Sequence, residues 1–479
     1  MLCFKIAGID TTNPKASLTI QKLKETEACS VVSEMVREEA TECRKKGLEN
    51  GSEEQERKGK ITMKKMGDNN FFVWVLVTLC AFAYLSGDAM AASVSDIKIA
   101  LIYPLSGALS RNGNLHVQGI KAAMGWVNDN GGIKSLGGAK LVPVIGDTGN
   151  TVEGAASAMD RVCRDPDIIM ACGSWASSLT MASTETAERL SIPIFSISFA
   201  DPLTDRGFKW GFYVSPPSSL IGDLGVAHII GLAKAAVDVP KTAMVVGDNQ
   251  AASRGFYNTA KKYFDSLGIK FLGEETWALG TLTDATPFMQ KIKSLNPDIV
   301  LFSPSAIGEG QMCLMKRKEL GIKVPFISSG AWLADPSFRQ IGADFLEGMI
   351  SITPCFPHKL TPQDWVTRSL NQSRKEYSDE PWVGQELNYG WTQIPIMAEI
   401  LEQAGSRERQ KIWEAARKLD IQNVMATRAT AKQGMAFDEK GRIAKKYQNL
   451  LLVQWQSGIP RAVYPPDLAL AKPLWVGKK

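Results

Sequence analysis

A chain of 479 residues, 44% of them hydrophobic, is too long for one small domain and suits two lobes of ordinary size. Its formal charge of +5 comes from scattered Lys and Arg, with no basic run interleaved with aromatics, which argues against nucleic acid as a partner. Three histidines (His116, His228, His358) and eight cysteines without a CxxC pair supply no clustered ligands, so no metal site and no cofactor are expected.

Residues 1–62 carry as many acidic as basic side chains, few aromatics and no clear period. They read as a non-native, disordered extension ahead of a true start at Met63 or Met66; the alternative is a cytoplasmic tail. Residues 63–91 read as a secretory signal: Lys64 and Lys65, the apolar stretch Phe71–Leu85, then Ala89-Met90-Ala91, with Ala92 as the mature start. The alternative, a membrane anchor, is disfavoured because the apolar stretch is short for a bilayer. Cys3, Cys29, Cys43 and Cys80 fall in these two segments. Of the rest, Cys163 and Cys172 are placed at a helix end and at the far end of the next strand, and read as thiols. The spacing of Cys313 and Cys355 leaves their state open.

From Ile97 the pattern becomes regular. Ile97–Tyr103 is an apolar run stopped by Pro104 and Gly107, followed by an amphipathic helix over Asn114–Asn130. Strands at Leu141–Ile145, Ile168–Ala171 and Pro193–Ser196 then alternate with helices at Val152–Cys163 and Ser178–Leu190. The alternation pauses in a polar connection at Phe212–Ser219 and restarts. The second series has strands at Lys241–Val246, Lys270–Trp277, Ile299–Ser303 and Pro325–Ser328, and helices at Arg254–Leu267, Thr286–Leu295 and Gln311–Leu320. Two α/β series joined by a polar link predict two similar lobes, each with a parallel sheet covered on both faces. After Met349–Thr353 come helices at Thr361–Tyr377, Val383–Ala404 and Arg407–Lys418, then strand-like runs at Leu450–Gln454 and Ala462–Tyr464, as in a tail that crosses back to finish each lobe.

Open parallel sheets bind ligands beyond the carboxyl ends of their strands. The loops there are Ser106–Asn114, Gly173–Ser178, Ser196–Asp201, Asp248–Arg254, Ser303–Gly308 and Ser328–Trp332. They hold small residues, hydroxyls and a few large aromatics, groups that hold a polar head without doing chemistry on it. Trp175, Phe199 and Trp332 are candidate apolar walls. Ser177 is either a ligand contact or a helix cap, and Trp332 either a wall or ordinary core. Arg111, Arg206 and Arg254 read as solvated or structural, with Arg111 or Arg254 the candidates to face a carboxylate. No Ser-His-Asp order, GxSxG elbow or P-loop is present, and Glu309 and Asp335 have no partner that would tune them as acids.

The runs IKIALIYPLSG, VQGIKAAMGWVNDNGGI, ACGSWASSLTMA, IPIFSISFADPLTDRG and AMVVGDNQAASRG occur in an order and spacing that resembles the periplasmic branched-chain amino-acid-binding family, the type I solute receptors of ABC transporters. The resemblance runs from Ile97 to Tyr464. It implies an α/β fold of two Rossmann-like lobes with parallel sheets, joined by three crossover segments near Ser215–Ser219, Thr353–Pro357 and Ala426–Phe437. The lobes would be 92–215 plus 356–430 and 216–355 plus 431–479. It also implies a monomeric periplasmic protein that closes on a small molecule and is read by a permease and its ATPase. Carried over by position, Ser177 matches the serine that holds an amino-acid carboxylate, and Ser198 a residue whose backbone meets the ligand. Ala200 stands in place of a threonine. Asn112, Ala252 and Ser305 (or Ala306) stand in place of pocket aromatics, and Gly330 replaces the acid that holds the α-ammonium group. An ammonium buried without that acid costs several kcal/mol, so a small organic acid, aromatic or otherwise, is expected in preference to a branched-chain amino acid; an amide or urea derivative is the other option. A ligand sensor coupled to a regulatory partner is the rival role for the same fold.

Overall fold

The computed structural model describes residues 94–361, 381–424 and 432–475, together with 363–364, 367–368, 371, 427 and 477; the side chains of Ala331 and Trp332 are not among those described. The extension, the signal segment, Ala92 and the helix expected over Thr361–Tyr377 therefore fall wholly or largely outside the described residues. No helix among the described residues is long and apolar enough to cross a membrane.

The first sheet holds β1 (Ile97–Tyr103), β2 (Leu141–Asp147), β3 (Ile168–Gly173), β4 (Ile194–Ser196) and β5 (Gly211–Tyr213). All are parallel, in the order β2-β1-β3-β4-β5. β1 and β3 are buried along nearly their whole length, which is why they read as continuous apolar runs. Helices α1 (Ser110–Asp129), α2 (Val152–Cys163) and α3 (Ser177–Leu190) connect the strands.

The second sheet is built from β6 (Thr242–Asp248), β7 (Lys270–Trp277), β8 (Ile299–Ser303), β9 (Phe326–Ser329) and β10 (Ile350–Thr353), all parallel. Helices α4 (Val226–Ala235), α5 (Ala251–Ser266), α6 (Thr286–Leu295) and α7 (Ile307–Glu319) accompany it.

The tail then supplies both lobes. Helix α8 (Gln385–Ala404) packs along α1, and α9 (Arg409–Lys418) follows it. Two glycines allow α1 and α8 to meet at the backbone: a Cβ on Gly119 would lie 2.1 Å from the Leu387 carbonyl, and one on Gly390 2.0 Å from that of His116. A short antiparallel pair, β11 (Asp420–Gln422) with β12 (Gly434–Ala436), stays with the first lobe, and at the edge of β5 the Ile443 amide donates to the Tyr213 carbonyl and the Tyr213 amide to that of Gly441. Strands β13 (Leu451–Gln456) and β14 (Ile459–Tyr464) finish the second sheet as an antiparallel hairpin beside β10.

This packing moves two of the expected lobe boundaries. Residues 432–447 belong with the first lobe, because Met435, Phe437 and Ile443 are buried in its core. The third crossing therefore lies between Tyr447 and Leu451, not within Ala426–Phe437. Phe356 is buried with Leu451, Val453 and Leu468 of the second lobe, and the Lys359 amide bonds the Leu468 carbonyl. The chain thus joins the first lobe at Val383, later than residue 356. At the hinge, Val214 and Pro216, Pro354 and Cys355, and Tyr447–Asn449 line one small cavity, so the three passages run side by side.

Candidate functional site

The two lobes are in contact across the cleft. Asn112 Nδ2 donates to the Ser305 carbonyl at 3.3 Å, and the Ile307 amide donates to Asn112 Oδ1 at 3.5 Å. Arg111 forks onto Asp335 Oδ1 at 2.8 and 3.0 Å. Ala306 and Leu279 of the second lobe pack on the core of the first. This is a closed arrangement.

Between the lobes is a cavity of about 50 Å³, lined from the first by Trp175, Ala176, Ser177, Ile197, Phe199 and Gln385. The second lobe contributes Gln250, Ala252, Ser253, Ser303, Ser305, Ser329 and Gly330. That volume holds roughly three to five waters, so any solute enclosed here is small.

The loop after β3 turns into α3 without a side-chain cap on its first amides. Ser177 Oγ accepts from the Ala200 amide at 3.2 Å, which leaves its hydroxyl proton for another acceptor. Neither Gln250 ahead of α5 nor Gly384 ahead of α8 makes a side-chain cap bond. Three helix N-termini, those of α3, α5 and α8, thus converge on one cavity through Ser177, Ala252 and Gln385. Each brings the positive end of its dipole, without a side-chain cap.

Among the described residues, no acidic or basic side chain lines the cavity. Two buried carboxyl groups stand one layer back, with their oxygens taken. Asp248 accepts from the Gln250 amide, Ser253 Oγ and the Ser305 amide, and burial raises its pKa against the pull of those donors. Glu386 accepts from Trp175 Nε1 at 2.5 Å and from Gln385 Nε2 at 3.1 Å.

Of the residues picked out from sequence, Trp175, Ser177, Phe199, Ala252, Ser305 and Gly330 line the cavity. Gly330 has φ +82°, a left-handed conformation that suits glycine. Three others do not line it. Asn112 is fully buried and spent on the second lobe's backbone. Ser198 is turned inward: its hydroxyl bonds the Trp175 carbonyl at 2.7 Å and Thr180 Oγ1 at 2.6 Å, while its carbonyl accepts from Ser215 and Arg442. Ala200 is buried with Leu203 and Tyr213. The backbone of Trp332 lies in a 3-10 turn over Ala331–Ala334, and its side chain is outside the described residues.

Arg111 proves to be an interlobe ion pair, and Asp335 is its partner. Arg254 bonds the Asn249 carbonyl, and Arg206 bonds the Met181 carbonyl and Thr184 Oγ1. Glu309 is buried, its pKa raised by that burial, and accepts from the Leu282 amide. Cys163, Cys172, Cys313 and Cys355 are buried free thiols; burial pushes Cys163 and Cys355 up to about 12.

Apart from Gln385, the rest of the first- and second-lobe lining, Gln250, Ser253 and Ser329 among it, falls within the loops named from sequence without being singled out. Gln385 lies outside them all, and two buried supports, Glu386 and Arg442, were missed. The Arg442 guanidinium is 3% exposed and grips the carbonyls of Ser198 and Ala200, both at 2.9 Å, so it fixes the loop after β4 from behind.

The family model for periplasmic binding proteins matches residues 96–458. The chain belongs to the periplasmic binding protein family. Within this family it is similar to Leu/Ile/Val-binding protein homolog 7 of Brucella suis biovar 1, 22% identical over 406 residues, covering 83% of this chain and 98% of that protein. Among solved structures it resembles a leucine-binding protein of Thermotoga maritima, with a TM-score of 0.63 and 22% identity over 78% of this chain and 99% of the other. A solute-binding protein of an ABC transporter from R. palustris, solved with benzoate, also gives 0.63, at 18% identity over 76% and 94% of the two chains. A fatty acid ABC transporter substrate-binding protein from Thermomonospora curvata gives 0.64 at 16% identity, over 77% and 91%. The fold is that of the type I periplasmic binding proteins, two α/β lobes with a cleft between them.

Proposed function

We propose that this chain is the extracytoplasmic solute-binding receptor of an ABC importer. In this reading it is a monomeric, periplasmic, non-enzymatic protein that closes on a small carboxylate, preferably an aromatic one, and presents the closed form to a permease and its ATPase. The observation that carries the ligand class is the convergence of three helix N-termini without side-chain caps on a cavity with hydroxyls and, among the described residues, no acidic side chain. Such a site favours a negative head group. Among the described residues it offers an α-ammonium group no free carboxylate, because Asp248 and Glu386 are committed to other donors and Gly330 supplies none; the neutral Gln250 side-chain oxygen is the acceptor left over. Ser177 and the first amides of α3 would hold the carboxylate. Trp175 and Phe199 would flank the ring, and Ala252, Ser305 and Gly330 would leave the room that larger side chains would fill. The benzoate-bound relative supports this choice, and the leucine-binding relatives are the reason to test it.

A thermal-shift panel on the mature protein decides. A ligand that binds only the native state raises the melting temperature. The expected result is a rise with benzoate and other small aromatic acids and none with leucine, acetamide or urea. A rise with leucine alone rejects the ligand class, and one with acetamide or urea alone favours an amide receptor, the form in which a sensing role would be pursued.

A further inference from the structure

Trp175 holds a conformation that a bulky residue rarely adopts. Its φ is +69°, in the left-handed region, and its indole is 9% exposed at the wall of the cavity. Such a conformation persists only where the surroundings fix it from more than one side. The backbone side is fixed by Ser198 Oγ, which donates to the Trp175 carbonyl at 2.7 Å. The ring side is fixed from the other end of the chain. Glu386, 2% exposed in the first turn of α8, accepts the indole N–H at 2.5 Å. Gln385 Nε2 holds its other oxygen, and Gln385 is held in turn by Thr353 Oγ1 at 2.8 Å, at the end of β10. His116 Nδ1 lies 3.7 Å from the oxygen that takes the indole. A buried indole N–H without an acceptor is unfavourable, so ring and carboxyl group define each other's place.

We propose that Glu386 is a positioning residue: it sets Trp175 as a fixed wall of the cleft and thereby limits the size of ring the cleft admits. The size limit rests on the aromatic-acid reading given above, but the positioning does not. Glu386 is not placed to touch a solute; it acts through the indole. A role confined to stabilising the start of α8 would leave the indole signal unaltered.

The test uses mature protein labelled with 15N-tryptophan. The indole N–H resonance of Trp175 is assigned by its loss in Trp175→Phe. In the parent it exchanges slowly with water. In Glu386→Ala it shifts and exchanges faster, and in Glu386→Gln, which keeps the volume and an acceptor oxygen, it shifts while exchange stays slow. An unmoved resonance in Glu386→Ala overturns the proposal. Should the alanine variant fail to fold, an unmoved resonance in Glu386→Gln does the same.

Titrations with benzoate and 2-naphthoate read the size limit. The parent prefers benzoate by about tenfold or more, and Trp175→Ala and Glu386→Ala bring the two acids to within a few-fold of each other. An unchanged preference in both variants overturns the size limit. If neither acid binds the parent, the aromatic-acid reading and its size limit fail, while the indole resonance still decides the positioning.

Discussion

The two walls of the cleft are built differently. On the first lobe, Trp175–Ser177 and the loop after β4 are held by large buried polar groups brought from the far end of the chain. Glu386 holds the indole, Arg442 the carbonyls of Ser198 and Ala200, and Thr180 the Ser198 hydroxyl. On the second lobe the wall is a set of small residues tied to one another. Ser303 and Ser329 share a 2.5 Å contact, Gln250 bonds Ser305, and Asp248 gathers the loop amides. The second wall also holds three of the residues that depart from the amino-acid-binding pattern: Ala252, Ser305 and Gly330. The first wall is thus suited to grip a head group in a fixed place, and the second to set how much room is left.

The sharpest way to break this contrast is to remove Arg442. Burial lowers its pKa against the opposing influence of Tyr213, Asp201, Asp438 and Asp205, and its guanidinium bonds are to two carbonyls. Arg442→Ala takes a charged donor from each, leaving Ser198 with the Ser215 hydroxyl and Ala200 with the Leu203 amide, and is expected to cost on the order of 2 kcal/mol in urea unfolding of the mature protein. Lysine lacks the planar fork and is expected to restore little. Next, Ser177→Ala is expected to weaken benzoate binding about tenfold, with a small fall in melting temperature from the lost Ala200 amide bond, whereas Ser305→Ala changes binding less, since the Ser305 hydroxyl is engaged by both Gln250 and Asp248; calorimetry on the pair reads the asymmetry. Equal losses would show that both walls hold the head group.

Arg111→Met removes the ion pair that bridges the walls. Arg111 is 34% exposed and Asp335 only 3%, so a loss of roughly 0.5 kcal/mol in closure is expected. It would be seen by small-angle scattering as a larger open fraction in the unliganded protein. The smallest effect concerns pH. Burial holds the His116 pKa below its ordinary 6.5, against the opposing influence of Glu386. The unfolded chain therefore binds this proton at a higher pH than the folded one. The associated stability is complete above 6.5 and is lost as pH falls through the folded value. His116→Gln is expected to flatten that part of the melting-temperature profile below pH 6.5.

The α/β alternation was legible because its strands are buried on both faces and its helices are amphipathic. Val152–Cys163, Lys270–Trp277 and Ile299–Ser303 run as the pattern predicts. Helix α4 escaped because Gly222, Gly225 and Gly231 in and ahead of it read as breaks. The structure uses Gly222 for close packing instead: a Cβ there would lie 2.5 Å from the Phe256 carbonyl. Strand β5 is three residues long, too short to show a period. At the site, loops at strand ends identified Trp175, Ser177, Ala252, Ser305 and Gly330, since chain direction alone places them. Gln385, Glu386 and Arg442 lie some two hundred residues further along, and no local signal links them to the loops they support. Asn112 shows the limit of carrying a role over by position, because here the side chain joins the two lobes instead of lining the cavity.

The most direct test is a matched pair of solutes. Benzoate and benzamide share shape and ring but differ in charge, so calorimetric titration of the mature protein with each isolates the pull of the three helix N-termini. Benzoate binding at least about tenfold more tightly is the predicted result; benzamide binding as well or better would contradict an anion-holding cleft.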